Sequence, residues 1–144
     1  MPKALCVKEG HMSIVIFDVK TGSNGYIESV NNRILERNPE YSERYGLIGS
    51  KKWLDLYASG KISKNVKSGQ VSYIGPDRYE PCEEENIIEI ETDRRMISYD
   101  QEGYWFNSAI ELEAWVQIET IKVKIPDKNG SITSLIDVKV VVLK

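Results

Sequence analysis

The side chains that this sequence clusters most densely are carboxylates. Glu83, Glu84 and Glu85 are consecutive, with Asp77 and Glu80 just upstream. Several carboxylates in one loop can gather a hard cation. This run has neither the alternating ligand spacing nor the glycine of a calcium loop, so no metal is expected there. Two uses remain: a solvated face, or a docking patch for a basic partner. Glu89, Glu91, Glu113 and Glu119 fall on strand-like stretches. Glycoside hydrolysis needs two carboxylates facing each other across a cleft. Glu89 and Glu91 are two residues apart, which puts both on one face of a strand, the ordinary wet side of a sheet.

The basic cluster is Lys51, Lys52, Lys61, Lys64 and Lys67, with Trp53, Tyr57 and Tyr73 close by in sequence. Lysines that track a phosphate backbone and aromatics that stack on bases are the means of holding single-stranded nucleic acid. Trp53, Lys61, Lys64, Lys67 and Tyr73 therefore form a candidate nucleic-acid set. The competing reading is a solubilising helix end, where the helix dipole favours cations. His11 is the only histidine and lies in an N-terminal tail, a poor position for a catalytic dyad or a metal site. The sequence has no glycine-rich phosphate loop, no G-x-S-x-G and no cysteine pair in metal spacing. No catalytic residue, metal or cofactor is expected.

A third candidate is aromatic. Tyr104, Trp105 and Phe106 follow Gly103. On a strand they cannot all point one way, because side chains alternate. Either Trp105 or the Tyr104/Phe106 pair should face outward as a contact surface, or one set fills a barrel while the other lies beneath helices. Aromatics are enriched where interfaces carry their binding energy. Tyr104 and Trp105 thus join Glu83, Glu84 and Glu85 as candidate partner-binding residues.

The bulk numbers narrow the partners. The chain has 144 residues, 41% of them hydrophobic and 28% charged, with formal net charge −3. That is the size of one domain with a real core, and not a disordered chain. Mild net acidity argues against a general affinity for nucleic acid or anionic membrane. The charge is uneven: residues 1–60 carry 8 basic and 7 acidic side chains, residues 61–144 carry 11 and 15. Cys6 and Cys82 read as free thiols rather than a disulfide framework. With no signal-like or membrane-spanning apolar run, the expected compartment is cytoplasmic.

These residues need elements to position them. Ser13–Val19 is apolar on both faces and reads as a buried strand. Residues 26–60 read as three short helices. Ile27, Val30 and Ile34, with Leu35 beside them, make the stripe of the first. Asn38-Pro39 and Ser50 start the second and third, and Gly60 ends the last in a left-handed conformation. From there the period changes to two. Strands are expected at 69–75, 86–92, 94–100, 111–125 and 133–143, with 104–106 a candidate for a further short one and turns at Asp93-Arg94, Asp100–Gly103 and Asp127–Gly130. Within 111–125 the apolar set moves from even positions (Leu112, Ala114, Val116, Ile118) to odd ones (Ile121, Val123, Ile125). One strand cannot keep both sets on one face, so a bulge or coil is expected near Glu119-Thr120.

The expected fold is α+β: a single domain with a tail at 1–11, a strand and helical segment at 12–60, and a small antiparallel barrel-like sheet of about five strands at 61–144. The expected function is that of a non-catalytic binding module, accessory or inhibitor-like, that meets another protein through its acidic β surface. Self-association is open. The alternatives are a single-stranded nucleic-acid-binding barrel, and an enzyme or small-ligand carrier whose pocket leaves no local signature.

Overall fold

The computed structural model of the chain describes residues 13–21, 25–77, 86–127, 130 and 132–143. The fold is α+β. Its elements are β1 (Ser13–Asp18), α1 (Gly25–Arg37), α2 (Pro39–Tyr45), α3 (Lys51–Ala58), β2 (Asn65–Gly75), β3 (Ile87–Thr92), β4 (Met96–Asp100), β5 (Trp115–Lys124) and β6 (Thr133–Leu143). The strands form one antiparallel, barrel-like sheet in the order β1-β6-β5-β2-β3-β4. It has six strands, one more than expected. The extra member is β1, which joins at one end beside β6. An end strand has a neighbour on one side only, and Val15 is 52% exposed, so β1 is not buried on both faces. Residues 1–11, with Cys6 and His11, lie outside the described residues, as do Cys82, Glu83, Glu84 and Glu85.

The chain divides into two compact units. The first takes the chain up to Phe17, Val66–Ile118 and the chain from Val140. The second takes Asp18–Asn65 and Glu119–Lys139. By sequence, the first unit carries 7 basic and 13 acidic side chains, net −6; the second carries 12 and 9, net +3. The split by unit is sharper than the split by sequence half.

The first unit is built on the β2–β3–β4 meander. Ile88 and Ile90 are buried, as their alternation requires. Val71 pairs with Ile90 and Tyr73 with Glu89, so Ser72 is an extra residue in the ladder, a bulge. Gly69 permits the close approach of β2 to β3: a Cβ there would lie 2.6 Å from the Glu91 carbonyl oxygen and from Ile90 Cγ2. Residues 104–106 are not a strand. Gly103–Trp105 is a 3-10 turn, entered by Gly103 at φ 57° and held by Phe106 N–H to Gly103 O at 3.0 Å. The long strand also begins later than expected, at Trp115. Glu113 adopts φ 71°, a left-handed conformation that breaks extended backbone, and Leu112 is left 59% exposed.

The second unit holds the three helices. Ile27, Val30 and Ile34 are buried, whereas Leu35, a quarter-turn away, is half exposed and outside the stripe. Both N-caps form: Asn38 Oδ1 accepts from Tyr41 N–H at 3.3 Å and Ser50 Oγ from Trp53 N–H at 3.3 Å. Gly60 has φ 81°. The Asn31 side chain clamps Ile48, accepting from its N–H at 2.9 Å and donating to its carbonyl at 3.1 Å. On β5 the phase change is visible in the burial: Val116, Ile118 and Thr120 are buried, then Ile121 and Val123. On β6, Ile136 and Val138 are buried as expected, but so is Asp137, whose N–H donates to the Tyr26 hydroxyl at 2.9 Å. Asp127 and Gly130 bridge each other across the last hairpin. Among the described residues no helix is long and apolar enough to cross a membrane.

Candidate functional site

The second unit contains a cavity of about 310 Å³. Three pieces of chain build its wall. α2 supplies Tyr41 and Tyr45, four residues apart and so on one side of the helix. The segment that leaves α3 through Gly60 supplies Lys61, Ile62, Ser63, Lys64 and Asn65. β5 supplies Thr120 and Lys122, two residues apart and so on one face of the strand. The pieces are tied together locally. Asn38, which caps α2, also donates from Nδ2 to the Lys124 carbonyl at the end of β5, at 2.7 Å. Lys61 and Ile62 N–H groups close back on the Leu56 carbonyl at 3.0 and 3.4 Å, which fixes the start of the lysine segment.

The phase change on β5 explains why a polar site forms here. The even face is buried through Thr120 and exposed at Lys122. Thr120 is the last residue of that hidden face. Its residue is 1% exposed, and its hydroxyl has no hydrogen-bond partner among the described residues. A buried hydroxyl left unpaired costs about 1–3 kcal/mol, so a partner that arrives from outside the chain has something to satisfy.

The electrostatics are one-sided. Among the described residues, three lysines and no carboxylate line the cavity. Lys64 Nζ lies 3.5 Å from Glu119 Oε1, which also accepts the Tyr57 hydroxyl at 2.7 Å. Lys64 sits 5.6 Å from the Tyr57 ring centroid as well, and Tyr57 stacks on Trp53 at 4.9 Å. Burial, and then Glu119, hold the Tyr57 phenol above the usual range. Trp53 Nε1–H donates to the Tyr41 oxygen at 3.2 Å. That leaves Tyr41 its own O–H to give, and burial raises its pKa and keeps the proton in place. The Tyr41 and Tyr45 rings are 4.7 Å apart and tilted by 42°, with Arg44 lying 5.3 Å from the Tyr45 centroid.

Of the candidate nucleic-acid set, Lys61 and Lys64 line this cavity. Trp53 is 0% exposed, packed against Tyr57 behind the tyrosine wall, with no face open for a base. Lys67 and Tyr73 lie on β2 in the first unit, where the Tyr73 hydroxyl donates to the Pro76 carbonyl at 2.6 Å. Of the candidate partner-binding set, Tyr104 is half-buried and stacks on Phe17 at 4.4 Å, and Trp105 is buried against Tyr99 at 4.7 Å. Phe106 is the exposed aromatic, at 66%. Sequence reasoning did not single out Tyr41, Tyr45, Thr120 or Lys122. The signal that would have found Thr120 is a hydroxyl standing where the even-position alternation calls for an apolar side chain. Among the described residues no group of three His, Cys, Asp or Glu side chains could hold a metal ion. No protein-family model matches the chain, and no curated protein matches it.

Proposed function

We propose that this protein is a non-catalytic binding module whose site is the cavity of the helical unit, and that the ligand presents negative charge. One observation carries the reading. Among the described residues, a buried hydroxyl without a partner, on Thr120, sits in a wall that also holds three lysines and no acid. The unit around it is net +3 by sequence, which concentrates anions near the mouth. An NMR titration with sulfate, acetate and a matched series of amines tests it. Anions should shift the amide signals of Ser63, Asn65, Thr120 and Lys122, and Lys61→Glu with Lys122→Glu should remove the effect. If no anion moves those signals, or amines move them equally, the reading fails.

A second reading, contact with a basic protein through the first unit, is favoured by a different observation. Phe106 and Leu112 are exposed along the same stretch as Glu102, Glu111 and Glu113, in a unit of net −6. Apolar anchors inside a charged rim are the usual anatomy of an interface. Tyr104 and the Glu83–Glu85 run join this reading as supporting residues, while Trp105, buried against Tyr99, serves it only through packing. Phe106→Ala combined with Glu83, Glu84 and Glu85 changed to Lys should release a partner that co-purifies stoichiometrically with the native chain. Retention of that partner would set the reading aside.

A further inference from the structure

We infer that the group held in the cavity of the helical unit is a phosphoryl dianion, either free phosphate or the phosphate of a small monoester. The inference rests on the reading of that cavity as the ligand site and adds its chemistry.

Charge gives the first argument. Three lysines line the cavity, and the Glu119 carboxylate, paired with Lys64, offsets one of their charges. The local sum is +2. A dianion balances it, whereas a carboxylate or a phosphodiester leaves one charge over. Donor geometry gives the second. Among the described lining residues there is no arginine, so no guanidinium fork, which serves carboxylate and phosphate alike, sets the geometry. Here single-point donors come from three separate pieces of chain: Lys61 and Lys64 after α3, Lys122 on β5, and Tyr41 on α2. A tetrahedral group with three outward oxygens suits donors that converge from different directions. Hydroxyls give the third. The Thr120 hydroxyl has no partner among the described residues, and the Tyr41 oxygen accepts from Trp53 and keeps a proton to donate. Both call for an acceptor-rich guest. Size gives the fourth. At about 310 Å³ the space lies at the small end for ligand sites, roughly 300–1,000 Å³. It accommodates a phosphate with a modest body beside Ile62 and Tyr45.

Isothermal titration of the full chain with inorganic phosphate, phenyl phosphate, dimethyl phosphate, acetate and a single-stranded oligonucleotide tests the inference. Phosphate and phenyl phosphate should bind at least about tenfold more tightly than dimethyl phosphate or acetate. Phenyl phosphate affinity should rise with pH through about 6, where a monoester loses its second proton, and inorganic phosphate affinity about one unit higher, because free phosphate holds that proton more tightly. Equal affinity for the two supports free phosphate as the source, and tighter phenyl phosphate supports a monoester. Thr120→Val and Lys122→Met should each weaken binding by about tenfold, and Thr120→Ser should restore most of it. Acetate or dimethyl phosphate binding as well as phosphate would overturn the dianion while leaving an anion site. So would affinity flat with pH, or phosphate binding untouched by both variants. Oligonucleotide binding with phosphate inert would overturn it in favour of nucleic acid. If no anion binds at all, the reading of the cavity falls with it.

Discussion

Thr120 carries opposite consequences for the free and the liganded protein. Its hydroxyl is buried with no partner among the described residues, so replacing it by a methyl group removes an unmet demand. Thr120→Val should therefore stabilise the free protein by about 1 kcal/mol, read from urea unfolding, although the same change weakens phosphate binding. Loss of stability in the free variant would mean that the hydroxyl has a partner. Tyr26 gives a pH prediction. Burial, and then the charge of Asp137, push its phenol from 10.0 up to about 12, while the Asp137 N–H pulls the other way. The folded state holds this proton more tightly than the unfolded chain does. Its contribution is thus complete below pH 10.0 and is lost as pH climbs through about 12. Tyr26→Phe should unfold less steeply with pH across that window, followed by circular dichroism. An unchanged slope would remove Tyr26 from the alkaline transition. Neither residue stands out in the sequence. A threonine satisfies a strand pattern whichever way it faces, and a tyrosine opening a helix gives no sign that it reaches a residue 111 positions later.

Caps and phase were legible because both are short-range. Asn38-Pro39, Ser50 and Gly60 act within one turn of their own positions, and all three form as their residue types require. The parity change on β5 was equally plain, since it needs only counting. The place of β1 in the sheet was not, because its partner β6 lies more than a hundred residues along the chain. Nor was the turn at Gly103–Trp105, where three aromatics have strand propensity but the left-handed Gly103 and i→i+3 hydrogen bonds decide otherwise. The junction of α2 and α3 makes a prediction at this scale. Gly46 has φ 83°, and a Cβ there would lie 2.8 Å from Ser50 Oγ, the cap of α3. Gly46→Ala should cost about 1–3 kcal/mol, measured by thermal unfolding. A variant as stable as the parent would show that the cap yields without loss.

Neither unit is a continuous piece of chain. The first is closed by residues from Val140 onward, and the second needs Glu119–Lys139 to complete what Asp18–Asn65 begins. Contacts between segments so far apart in sequence form late and cost loop entropy before they are repaid. A chain ended at residue 118 should therefore lose both units together. Its NMR spectrum should collapse to unfolded dispersion, and native-like signals for α1 to α3 would refute this. The same discontinuity explains what the sequence could not give. Counting charges by halves placed the contrast at residues 60 and 61, whereas the fold deals residues 119–139 to the helical unit and sharpens the contrast to −6 against +3. The lysine cavity exists only once that exchange is made.

Lys64 reaches both ways. It faces the cavity, yet it also rests over Tyr57, which shares Glu119 with it and lies flat on Trp53. A guest that draws this ammonium inward strips positive charge from the phenol ring that stacks on the buried Trp53 indole. The chain consequently has a built-in optical gauge: the emission of Trp53 should report occupancy with no dye attached.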